Sequence, residues 1–203
     1  MKREQITQNI SPLPSGYRQL EYIQATGTQY ILTNITGYNE HWKWFFSVRY
    51  TSGSILTHGQ YNQNANNDRI MSLIGSVSVN GFNRFDYVCG GSYTVTPTFS
   101  PISDWCDVYE DYSHVEINEL SYALTKYTKT SYKQLMLFAH YFGSTNWAFS
   151  QGQCRRVIVY DNNDNAKLDG YPALRISDSK PGLYDTVNDQ FYTNQGTGEF
   201  LYA

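Results

Sequence analysis

The stretch His41 to Tyr50, HWKWFFSVRY, constrains the fold more than any other. Trp42, Trp44, Phe46 and Val48 fall on one side of a two-residue repeat. Lys43, Ser47 and Arg49 fall on the other, and only Phe45 breaks the pattern. A helix would scatter these aromatics around its axis, whereas a half-buried strand gathers them on one face. Trp42 and Trp44 are assigned to the core on this ground.

The same period recurs along the chain. Thr28 to Thr33 sends Tyr30 and Leu32 one way and Gln29 and Ile31 the other. Ile70 to Asn80 sets Met71, Leu73, Val77 and Val79 against Ser72, Ser76 and Ser78; Asn80-Gly81 is a hairpin signal, and Phe82 to Cys89 reads as the return strand. Further strands are predicted at Ser54 to His58, Tyr112 to Asn118, Ser121 to Tyr127, Gln134 to Phe142 and Cys154 to Tyr160. Three stretches read as loops: Gln60 to Asp68, Thr94 to Asp111, and Gly143 to Gln153. The closing segment, KPGLYDTVNDQFYTNQGTGEF, reads as two short extended pieces around a turn at Val187-Asn188-Asp189. No segment reads as a helix, which predicts a β sandwich or jelly roll.

Composition agrees. Among 203 residues, 19 Tyr, 10 Phe and 4 Trp favour pleated, half-buried surfaces. That length suits one sandwich and buries a core without help from disulfides or metal. The net charge of −3, with no basic cluster longer than Arg155-Arg156, argues against nucleic-acid binding. Cys89, Cys106 and Cys154 form no CxxC pair and read as buried thiols, so no structural metal is expected. The start, MKREQITQNIS, lacks an apolar signal region, and no run approaches the length of a membrane span.

The opening LPSGYRQLEYIQATGTQYI (Leu13 to Ile31) resembles concanavalin A-like (laminin-G-like) jelly-roll domains found in gut bacteria and their phages. The ending, RVIVYDNN followed by YPALRISDSKPGLYDTVNDQFYTNQGTGEF, is similar to the same family's final strands. The resemblance implies an all-β, two-sheet antiparallel jelly roll over residues 13–203, preceded by a polar arm at 1–12. It also implies a non-enzymatic virion protein, a fibre or a head or tail decoration module with a lectin-like domain. Such a protein would dock on other virion proteins through its arm, form a homotrimer and bind a host-surface glycan. A carbohydrate-binding protein of a gut bacterium is the alternative, and a glycoside hydrolase is the least favoured reading.

Hydrolysis would need two carboxylates flanking the scissile bond. Laminarinase-like relatives carry Glu-Ile-Asp-x-x-Glu on one strand. Here Val115-Glu116-Ile117-Asn118-Glu119 has Asn118 in place of the Asp, and Glu119 is at the wrong spacing. The acidic run Asp104, Asp107, Glu110 and Asp111 reads as a solvated loop. Asp161-x-Asn163-x-Asn165 imitates half of a calcium loop but has Ala166 and Pro172 where Gly and Glu are needed, so it reads as a hairpin turn. His41, His58, His114 and His140 are scattered and suggest no triad, and no cofactor motif occurs. Glycan binding remains, as an aromatic floor with placed polar groups. The candidate sets are Tyr61 with Asn62 and Asn64, Trp147 with Asn146 and Gln151, and Trp105 with Asp104 and Asp107.

Overall fold

The structure is a computed structural model. It describes residues 11–37, 41–49, 105–111, 113–123, 134–139, 149 and 151–203 in full, and the backbone path of 60–62, 68–70, 72–79, 82–89, 92–95, 140–142 and 146–148. Among these residues there is no helix. The chain forms β1 (Tyr17–Gln19), β2 (Ile23–Thr26), β3 (Ile31–Leu32), β4 (Lys43–Arg49), β5 (Gln60–Asn62), β6 (Asp68–Ile70), β7 (Ser72–Val79), β8 (Phe82–Cys89), β9 (Ser92–Val95) and β10 (Cys106–Glu110). It continues with β11 (His114–Ile117), β12 (Leu120–Ala123), β13 (Met136–Leu137), β14 (Ala139–Phe142), β15 (Asn146–Phe149), β16 (Gln151–Tyr160), β17 (Ala166–Arg175), β18 (Lys180–Asp185), β19 (Gln190–Thr193) and β20 (Leu201–Tyr202).

One large antiparallel sheet dominates, in the order β12-β11-β10-β4-β16-β17-β18-β19, with β1 beside β17 and β2 between β16 and β20. Smaller sheets pair β13 with β3, order β15-β14-β5-β6, and order β7-β8-β9. All pairings are antiparallel except that of β14 with β5. The fold is all-β and sandwich-like. Its core lies between the large sheet and the segments around β3 and β13. Trp44, Phe46 and Val48 of β4 are buried there with Val108, Val115, Ile117, Val157, Val159 and Leu168. Ile31, Leu135, Leu137, Phe138 and Phe200 close it from the other side. Trp44 and Phe46 stack at 6.2 Å, and each such side chain contributes roughly 1.5–3 kcal/mol by leaving water.

The predicted face of β4 is borne out, Trp42 and Trp44 included. So is the hairpin of β7 and β8. Four readings need correction. The acidic stretch taken as a loop contains β10, an interior strand between β4 and β11. Cys106, Val108 and Glu110 face the core while Asp107 and Tyr109 face away, so the period was present but masked by carboxylates. The expected loop from Gln60 begins and ends in paired strands, β5 and β6, which hold Tyr61 and Asn62. Gly143 to Gln153 likewise holds β15 and the start of β16. Gln134 to Phe142 is two strands, parted where Phe138 adopts φ 65° and packs on Phe200 at 5.5 Å. The Ser54 to His58 strand lies outside the described residues.

The closing segment folds as expected and completes the sheet. β18 and β19 pair across a turn at residues 186–189, where Asp189 takes φ 52°. The carboxylate of Asp185, fully buried, accepts from the amides of Asp169 (3.1 Å) and Val187 (3.0 Å) and from the side-chain amide of Asn188 (2.6 Å). The end then returns to the beginning. The amides of Gln195 and Thr197 donate to the carbonyls of Tyr30 and Thr28, Asn194 Oδ1 accepts from the Tyr30 amide, and β20 pairs with β2. A Cβ at Gly196 would stand 1.8 Å from the Thr28 carbonyl oxygen, so this seam admits no side chain there.

Candidate functional site

Strand register decides which polar groups meet on the face of the large sheet turned away from the core. Arg49 of β4 stands opposite Gln153 of β16, and Gln153 stands opposite Gln24 of β2. Asp107 of β10 stands opposite Ser47 of β4. Trp105, just before β10, and Tyr22, just before β2, come together at a ring separation of 6.0 Å. These residues, with Arg155, form one contiguous patch.

Arg155 reaches the patch through a register break. Cys154 pairs with Val48 but Arg156 pairs with Ser47, so Arg155 is the extra residue of a bulge. Bulges re-aim side chains in this way. Its Nε donates to Ser47 Oγ (2.6 Å), Ser47 Oγ donates to Asp107 Oδ1 (2.5 Å), and its terminal nitrogen lies 3.3 Å from the same oxygen. The guanidinium carbon of Arg155 is 4.8 Å from the Trp105 ring centre.

Arg49 is held differently. Its guanidinium carbon lies 5.2 Å from the Trp105 ring centre and 5.9 Å from that of Tyr22, so it packs beside both rings. Its Nε donates to Gln153 Oε1 at 2.6 Å, and Gln153 Nε2 donates to Gln24 Oε1 at 2.8 Å. An arginine can only donate, so it fixes which way the Gln153 amide points. That in turn fixes Gln24, whose NH2 is left facing outward. The patch is thus aromatic at its floor and rich in donors at one side.

Of the three sets expected to bind, this is the one the structure assembles in part: Trp105 and Asp107 share the patch, and Asp104 lies outside the described residues. Asn146 and Trp147 sit on β15, in the sheet with β14, β5 and β6, while exposed Gln151 opens β16 of the large sheet opposite Thr26. They are therefore divided between two sheets. Tyr61 and Asn62 are on β5, and Asn64 is outside the described residues. Sequence reading missed Tyr22, Gln24, Arg49, Gln153 and Arg155. The alternation of β4 did put Ser47 and Arg49 on the outward face, but no local signal marks the bulge or the amide chain.

Other polar clusters close on themselves. Asp161 accepts from the amides of Asn163 (2.8 Å) and Asn165 (3.0 Å), from the Asn165 side chain, and from Lys167 at 3.0 Å. The hairpin-turn reading of this stretch is borne out. Asn165 first, then Lys167 and these amides, hold the Asp161 carboxyl well below the usual range. A cleft of about 470 Å³ lined by His41, Lys43, Asp111, Ser113 and Asn162 lies at the other end of β4 from Arg49. Its Asp111 is occupied by the amides of Ser113 and His114, and its Lys43 pairs with Asp164. Glu119, with φ 74°, is exposed in the turn after β11, while Glu116 lies within that strand. Among the described residues no cluster of His, Cys, Asp and Glu is arranged to hold a metal.

No family model matches the chain, and no curated protein matches it at a significant level.

Proposed function

We propose that this chain is a non-enzymatic recognition module of a phage virion. It is a fibre or decoration domain of concanavalin A-like type that binds a host-surface glycan through the face around Trp105. The observation that carries the binding role is the joining of Trp105 and Tyr22 to Arg49 and Gln24 on one outward patch, bridged by the buried amide of Gln153. Aromatic faces suit the apolar side of a sugar ring, and fixed amide and guanidinium donors suit its oxygens. The virion role rests on the likeness of Leu13 to Ile31 and of the closing segment to jelly-roll modules of phages. In that role the arm at 1–12 docks on other virion proteins and three copies assemble. Hydrolysis has little support, because Glu119 sits in a turn and Glu116 in the strand before it.

A glycan array at millimolar sugar tests the binding. Trp105→Ala is expected to weaken any hit about tenfold or more, as loss of an aromatic anchor does. Trp147→Ala separates this face from the β15 set. Absence of binding to every glycan would end the lectin reading. Detection in purified particles, and sedimentation as a trimer, test the virion role. A monomer confined to a bacterial surface would replace it with a bacterial carbohydrate-binding protein.

A further inference from the structure

We infer that the Trp105 face takes an anionic sugar, with Arg49 receiving its oxyanion; this rests on the glycan-binding reading above. The half-buried Lys and Arg side chains of the described residues otherwise have carboxylate partners. Lys43 has Asp164, Arg155 has Asp107, Arg156 has Asp169, Lys167 has Asp161 and Arg175 has Asp178. Arg49 alone among them has none. Its one side-chain hydrogen bond goes to a neutral amide, and two aromatic rings occupy its flank.

Among the described residues no carboxylate pairs with Arg49. Asp107, the carboxylate sharing the patch, is engaged by Ser47 and Arg155. The amide chain from Arg49 through Gln153 ends in the Gln24 NH2, another donor. Terminal guanidinium nitrogens and an amide NH2 therefore face outward together, a set that recognises acceptors and best of all a charged one. Cation–π contact with Trp105 and Tyr22 holds the guanidinium in place without neutralising it. A neutral sugar would satisfy the aromatic floor and leave this donor edge half used.

Titration calorimetry with defined trisaccharides tests the inference. The probes are tri-galacturonic acid, its methyl ester as the neutral counterpart, and a sulfated trisaccharide. At least one anionic probe is expected to bind about tenfold or more tightly than the methyl ester, and the stronger one names the oxyanion. That preference shrinks in 0.5 M salt as the charges are screened. Arg49→Gln is expected to bring the acid-to-ester ratio to within about twofold, and Arg49→Lys to keep part of it, since charge stays but the planar fork is lost. Thermal midpoints near wild type check that both variants fold. Binding of both anionic probes by the wild type no tighter than that of the methyl ester overturns the inference and leaves the lectin reading standing. A preference that survives Arg49→Gln overturns the role of Arg49. Failure of every probe, together with an array lacking any glycan hit, removes both.

Discussion

The closing seam and the Trp105 face are built from similar residues (Asn, Gln, Asp, aromatics and a few charges), yet they dispose of their polar groups in opposite ways. In the seam each group finds its complement inside the chain. Asp185 accepts three donors, Asn194 receives one amide from Tyr30 and another from Gly196, and its own NH2 donates to the Gly198 carbonyl at 2.8 Å. On the Trp105 face the chain of donors ends without a complement among the described residues. Closure satisfies the seam, whereas Arg49 is left with a neutral amide and two rings, which is the arrangement the proposed ligand would complete. The first region is built for the fold, and the second is the one the proposed function would use.

Substitutions can break that contrast, the largest effects first. Gly196→Ala forces a methyl group against the Thr28 carbonyl oxygen, and a displaced backbone seam is expected to cost about 3 kcal/mol. The urea midpoint should fall accordingly, and an unchanged midpoint would mean that the seam can open without cost. Asp185→Ala strands the Asp169 and Val187 amides and the Asn188 side chain in a buried turn, an expected loss of about 2 kcal/mol. Arg49→Gln should change stability by less than about 0.5 kcal/mol in chemical denaturation, because it removes a cation that no carboxylate balances. A large loss there would move Arg49 into the structural class.

Acid sharpens the comparison further. Burial pushes the Asp111 carboxyl up, but the Ser113 and His114 amides and the Ser113 hydroxyl outweigh it and bring it below the usual range, and Asp161 is held low by Asn165 and Lys167. The unfolded chain therefore takes up these protons more readily than the folded one. The stabilisation is complete above about pH 4, the ordinary carboxylate value, and fades as pH falls through the folded-state values. Urea midpoints should drop on acidification, and Asp161→Ala should lower the midpoint at neutral pH more than at about pH 3. The smallest effect is chemical. Burial raises the Cys154 thiol to about 12, so it should resist thiol reagents at pH 8 until the chain unfolds. Cys106 and Cys154 flank Val48 from strands on either side of β4, about 9–10 Å apart, too far for a disulfide.

Much of the frame was legible in the sequence. Trp42 to Val48 announced a buried face through an alternation broken only at Phe45, and Val187 to Asp189 announced a turn through residue chemistry. β10 was obscured because Asp107 and Glu110 put a carboxylate on each face of a short strand that follows Pro97 and Pro101. There Glu110 is buried, which a polarity reading does not anticipate. Trp105 and Asp107 could be named, since adjacency in sequence placed them together. Arg49, Gln153 and Gln24 could not, because they meet only through the order of three strands. The resemblance at the two ends pointed to a sandwich and took in Tyr22 and Gln24, but it did not reach β4 or β10, which complete the face.

The bulge at Arg155 separates two kinds of inheritance in one strand. Without that residue, Cys154, Val157 and Val159 would alternate with Arg156 and Ile158 in unbroken order, every core position unchanged. The one extra residue therefore adds a cation to the outward surface and leaves the inward one as it was. One residue more or less in β16 thus changes the outward surface with no repacking of the hydrophobic interior.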